Sequence, residues 1–122
     1  MRHDEYTSSP SCPVEAAIET IEGKWKGSIL FHLHYGPRRF NTLHQDIEGV
    51  SPRILTKALR DLEDKGLITR TVEDGAPPAV IYALSPLGET LRPVIGALEA
   101  WGRRYLTERG IACAPAGEAG LT

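Results

Sequence analysis

Cysteine is scarce in this 122-residue chain, with only Cys12 and Cys113 near its two ends. Two thiols so far apart form neither a disulfide framework nor a metal-ligand pattern. They fit a reducing, cytoplasmic setting. Long apolar runs are missing too: no stretch approaches the roughly 20 residues that a bilayer span needs. The opening MRHDEYTSSP has acids early and no apolar core, unlike a signal peptide. The four histidines (His3, His32, His34, His44) stand at no metal-ligand spacing with carboxylates or cysteines. There is no phosphate-cradling glycine loop and no nucleophile elbow. The expectation is a non-enzyme with no metal, no cofactor and no membrane partner.

An excess of one charge is also missing, since the net charge is −2. The distribution is more informative than the sum. Residues 36–60 hold Arg38, Arg39, Arg53, Lys57 and Arg60 against Asp46 and Glu48, a local balance of +3 between two acidic flanks. A local block of this kind is enough to create a phosphate-attracting face.

Apolar periodicity and punctuation divide the chain into one domain over 12–109, with a flexible arm over 1–11 and a flexible, Ala- and Gly-rich tail over 110–122. Val14, Ala17, Ile18 and Ile21 fall on one face of a short helix. Pro13 suits its first position, which puts Cys12 at or near the N-cap. Trp25, Ile29, Leu30 and Leu33 stripe a second helix that ends near Gly36-Pro37. Arg38 to Phe40 is a short extended piece, and Asn41 is the expected N-cap of a third helix holding Leu43 and Ile47. Ser51-Pro52 opens a fourth, with serine at the N-cap and proline at N1. Residues 67–73 and 79–84 read as a hairpin around Asp74-Gly75-Ala76-Pro77-Pro78. Ser85-Pro86 starts a last helix running to about Arg109, which Pro93 kinks or splits. The fold class is mainly α with a small β-hairpin. A helical block followed by a hairpin is the winged helix-turn-helix plan.

The fourth helix carries the chemistry. Leu55, Leu59 and Leu62 make its inner stripe, while Arg53, Thr56, Lys57 and Arg60 repeat at i, i+3, i+4, i+7 on another face. A helix entering the major groove needs this arrangement, an apolar back and a front that reaches base edges and phosphates. Arg53 can pair bidentately with guanine, and Lys57 and Arg60 can contact phosphates. The helix N-terminus at Ser51, with its free backbone N–H groups, is itself an anion site. Candidate backbone and wing contacts are Arg38, Arg39, Asn41, Thr42, Arg70, Gly75 and Pro77. The hairpin tip has no cation, so it reads as a stiff positioning element more than as a reader. A plain solvated helix face and a plain surface hairpin stay open as alternatives.

Leu87, Leu91, Val94, Leu98, Trp101 and Tyr105 are spaced 4, 3, 4, 3, 4, an a/d seam. With Val14 and Ile18 it is the candidate dimer interface, the other reading being packing against the chain's own first helix. Cys12 is the candidate redox sensor, because a thiol at a helix N-terminus gains thiolate character. Glu15 opposes that, and an ordinary semi-buried thiol is the other reading. Cys113 could resolve an oxidised Cys12.

Taken together, CPVEAAIETIEGKW at 12–25, GPRRFNTL at 36–43, SPRILTKALRDLEDKGLI at 51–68, PP at 77–78, VIYALSPLG at 80–88 and Trp101-Gly102 resemble the HxlR-type family of bacterial and archaeal winged-helix regulators, relatives of the MarR group. The likeness covers about 12–106. It implies a homodimer built by the first and last helices, a recognition helix at about 51–65, a wing at about 73–79 and an inverted-repeat operator in double-stranded DNA. It also implies that the cysteine matching Cys12 senses thiol stress, quinones or aldehydes in some members. The chain departs from the pattern at Ala79, where many members have a basic residue, and at Asp74-Gly75. The expected function is a dimeric, sequence-specific transcription regulator, a repressor, with Cys12 as candidate sensor and no effector identified. A winged-helix protein-interaction module without specific DNA binding is the alternative.

Overall fold

A computed structural model describes residues 10–113. Six helices and three strands follow in order: α1 (Cys12–Ile21), α2 (Lys26–His34), β1 (Arg38–Arg39), α3 (Phe40–Asp46), α4 (Pro52–Asp64), β2 (Ile68–Glu73), β3 (Ala79–Leu84), α5 (Pro86–Glu89) and α6 (Arg92–Glu108). The strands form one antiparallel sheet in the order β1-β3-β2. The fold is mainly helical with a small sheet, the winged helix-turn-helix plan expected from element order. The arm assigned to 1–11 and the tail assigned to 110–122 lie largely outside the described residues.

The core is the common inner side of α2, α3 and α4. Ile29, Leu30 and Leu33 of α2, Leu43 of α3 and Leu55, Leu59 and Leu62 of α4 are almost wholly buried. Each such side chain contributes about 1.5–3 kcal/mol through burial. Leu67, Ile68 and Tyr82 bring the hairpin's root onto this cluster, and Ile95 brings α6.

Two junctions fix how the hairpin leaves the helices. At the end of α4, Gly66 takes φ +78, which a glycine accepts without a Cβ penalty. The Gly66 N–H then bonds the Glu63 carbonyl at 2.9 Å and the Leu67 N–H bonds the Leu62 carbonyl at 3.0 Å. This is a Schellman closure, and it turns the chain straight into β2. At the end of β3, the Ser85 hydroxyl accepts from the Gly88 N–H at 2.9 Å and donates to the Gly66 carbonyl at 2.5 Å. One side chain thereby caps α5 and ties it to the exit of α4.

Two boundaries differ from the sequence reading. Helix α3 starts at Phe40 with Arg39 as its N-cap, so Asn41 sits inside its first turn. The cause is the pairing of Arg39 with Ile81, which keeps Arg39 extended (φ −73, ψ 153) until the helix begins. Ser11, not Cys12, precedes the first helix, and Cys12 is its first residue. The last helix is two pieces, as Pro93 led one to expect, with Thr90 and Leu91 between them. Pro93 has no N–H to give the Glu89 carbonyl four residues back, and its ring would collide with that carbonyl. It therefore sits in the first turn of α6, where neither matters.

Candidate nucleic-acid interface

Helix α4 begins with a complete start. The Ser51 hydroxyl accepts from the Ile54 N–H at 3.2 Å, and Pro52 fills the first position. The helix runs for thirteen residues, Pro52 included, without a glycine or an internal proline. Because Leu55, Leu59 and Leu62 are buried, the period of 3.6 residues fixes which side chains face out. Arg53, Lys57 and Arg60 are exposed; Thr56 is half-buried, its hydroxyl donating to the Pro52 carbonyl at 2.8 Å. The cationic stripe and the leucine stripe thus occupy opposite sides of one helix.

Concave surfaces flank this ridge on both sides. One groove, of about 780 Å³, runs between α4 and the wing and includes Arg39, Asn41, Thr56, Arg60, Arg70 and Pro77. The fold has brought together residues from α4, β1, α3 and the hairpin that lie up to 43 positions apart in the chain. Tyr82 and Val80 form part of its wall and Glu63 is its acid. The second groove, of about 870 Å³, lies between α4 and the α1–α2 turn, and there Arg53, Lys57 and Arg60 meet Lys24, Trp25 and Lys26.

The remaining candidates lie elsewhere. Arg38 and Arg39 are successive strand residues and point to opposite faces. Arg39 reaches the groove, whereas the Arg38 guanidinium turns back to the Pro37 carbonyl at 2.9 Å. Thr42 is half-buried on α3 and Gly75 is exposed at the wing tip, and neither lines these two grooves. Lys24 and Lys26 are cations that sequence reasoning missed. The signal was present, because a turn at Gly23 directly before α2 must emerge beside the helix packed on α2. Asp61 holds Lys26, together with Lys65 at 3.1 Å. The hydrogen bond from the Lys26 ammonium is the main cause that holds the Asp61 carboxyl below the usual carboxylate range, and the same bond raises Lys26.

The terminal helices present a different surface. Val14 and Ile18 of α1 are exposed, as are Leu87 of α5 and Val94, Leu98, Trp101 and Tyr105 of α6. Leu91, in the turn between α5 and α6, is half-buried against the core. Trp101 alone is 65% exposed, and its ring stacks on Tyr105 with centroids 5.3 Å apart. Ile95 anchors α6 to the core, so the seam runs along the helix beside its own packing face. Cys12 is 5% exposed within this region, and no disulfide joins it to Cys113.

A helix-turn-helix core, a two-stranded wing and a cation-bearing second helix define a winged helix-turn-helix regulator. The chain belongs to the HxlR-like helix-turn-helix family, whose model matches residues 20–110. It is a DNA-binding transcription regulator, as its relatives are. It is 45% identical over 94 residues to the HTH-type transcriptional regulator YdeP of Bacillus subtilis, covering 77% of this chain and 73% of the relative. An HTH-type regulator of Methanothermobacter thermautotrophicus is 41% identical over 105 residues, covering 86% and 77%. Among solved structures, the reduced form of the redox regulator HypR superposes with a TM-score of 0.73 at 37% identity, over 80% of this chain and 98% of that one. Reduced YodB of B. subtilis superposes with a TM-score of 0.64 at 28% identity, over 80% and 93%. Among the described residues no helix is long and apolar enough to cross a membrane.

Proposed function

We propose that the chain works as a cytoplasmic homodimer that places two copies of α4 in successive major grooves of an inverted-repeat operator and represses transcription there. The observation that carries this reading is the division of α4: three leucines buried on one side, three cations exposed on the other. Arg53 reads a base, and Lys57 and Arg60 grip phosphates with Ser51, Pro52 and Thr56 beside them. Arg39, Asn41, Arg70 and Pro77 extend the contact along the wing groove, with Arg38, Thr42 and Gly75 at its margins. The apolar seam of α1, α5 and α6 pairs the two copies, so the half-sites lie about one helical turn apart. The unit at 12–109 is the working domain, and the reading gives it no catalytic step.

The test is selection of binding sites from random-sequence DNA, followed by titration of the parent and of the Arg53→Ala, Lys57→Ala, Arg60→Ala triple variant. The parent should select a palindromic site, and affinity should fall steeply with salt as counterions are released. Undiminished affinity in the triple variant removes α4 from the contact. A chain that selects no sequence but captures a protein partner would favour the interaction-module reading.

A thiol-responsive form of the same function is favoured by the redox regulators HypR and YodB, the latter solved also after diamide treatment. Cys12 is the thiol placed for it, in the first turn of a helix that carries part of the exposed seam. Two thiols give up two protons and two electrons to diamide and join as a disulfide. Diamide should change operator affinity, and Cys12→Ser should abolish the change. Cys113→Ser asks whether the second thiol is Cys113.

A further inference from the structure

Asp61 is one of three acids, with Glu22 and Asp64, in a groove that also holds Lys24, Lys26, Arg53, Lys57 and Arg60. It lines the same groove as Arg53, Lys57 and Arg60, and its side chain is 42% exposed. Beside a phosphate backbone an acid weakens binding, so attraction of DNA does not explain it. Its contacts do. The Asp61 Oδ2 takes both the Lys26 ammonium, from the first residue of α2, and the Lys65 ammonium at 3.1 Å. The Lys65 ammonium also donates to the Glu19 carbonyl of α1 at 3.4 Å. One continuous set of polar contacts therefore runs from the α1 backbone through Lys65 and Asp61 to α2.

Three buried leucines hold α4 to the core, but apolar packing is non-directional. The Asp61 ion pairs and the Lys65–Glu19 hydrogen bond fix particular atoms against one another, and they tie α4 to the helix pair at whose far end Val14 and Ile18 are exposed. We propose that Asp61 is a positioning residue that sets the angle of the recognition helix relative to α1, and so the register in which two paired copies meet two half-sites. This rests on the DNA-binding reading above. It assigns Asp61 a share of specificity, although Asp61 touches no base.

Asp61→Asn, in the full chain, keeps the shape and removes the charge. Affinity for the operator selected by the parent should fall about fivefold or more, the scale of a modest coupling between sites. Affinity for random duplex of the same length should rise, because a phosphate-repelling charge is gone. The thermal midpoint should stay close to the parent's, since half-exposed ion pairs contribute little to stability. The preferred half-site spacing should broaden. Lys26→Met should likewise lower the ratio of specific to non-specific affinity, and the double variant should lose no more than either single change. If both affinities rise together, Asp61 is only a neighbouring charge and the proposal fails. If both fall along with the thermal midpoint, its role is stability alone and the proposal fails. A parent that selects no site removes the DNA-binding reading, and this inference with it.

Discussion

The backbone of Leu67 closes over Gly88 so tightly that a β-carbon there has no place to go. It would stand 3.1 Å from the Leu67 carbonyl carbon, closer still to its oxygen, and 3.3 Å from the Leu84 Cβ. Gly88 is where α5 crosses the root of the wing, with its N–H held by the Ser85 hydroxyl. Gly88→Ala should destabilise the fold by about 1–3 kcal/mol, the usual cost of overpacking against atoms that cannot move aside. Urea denaturation measures it. A variant as stable as the parent would mean that the hairpin root yields.

The element order was readable because punctuation is local: Ser51-Pro52, Gly66 and Ser85-Pro86 each mark a boundary with their own chemistry. The candidate recognition helix was readable as an amphipathic segment because leucines and cations repeat at helical spacing along it. The starts of α1 and α3 were not. Asn41 is a good cap by residue type, but β1 pairing with β3 holds Arg39 extended and starts the helix earlier. The wing groove was only partly legible, since Arg39, Arg60 and Arg70 converge through packing between distant segments. The Asp61 contacts were not legible at all, because nothing local links Lys26 to a carboxylate 35 positions on.

Arg53 and Lys57 should fail differently. A guanidinium paired with guanine discriminates bases, so Arg53→Ala should cost about 1–3 kcal/mol on the operator and relax specificity at one position. Lys57→Ala should weaken all duplexes alike and reduce the salt slope by about 1, the signature of one lost phosphate contact. Titrations of operator and scrambled DNA at several salt concentrations distinguish them. Matching profiles for the two variants would cancel the division of labour.

Leu98 and Trp101 are exposed beside the buried Ile95. An apolar seam of this kind on a chain with a modest core is stabilised by a second copy. Leu98→Arg should convert a dimer to a monomer by sedimentation and make the thermal midpoint lower and independent of concentration. Operator affinity should fall with it, because a single α4 reads only half a palindrome. A parent that sediments as a monomer at micromolar concentration would remove the seam from the interface.

His32 gives the fold a pH dependence of definite sign. Its ring is buried on α2, only 6% exposed, and burial is the main cause that lowers it from its ordinary value near 6.5. The Arg38 guanidinium of β1 pushes the same way, and the Asp46 carboxylate of α3 opposes both without prevailing. The unfolded chain takes up a proton at this histidine as pH falls through about 6.5, while the folded chain still holds the ring neutral. Over that window the unfolded state binds more protons, so stability falls as pH falls, by at most about 1.4 kcal/mol per pH unit for one group. The loss levels off once the folded ring also protonates. Chemical denaturation between pH 7.5 and pH 5.5 should show the decline in the parent and a shallower one in His32→Asn, whatever that substitution does to absolute stability. Parallel slopes in the two proteins would assign the pH dependence to other groups.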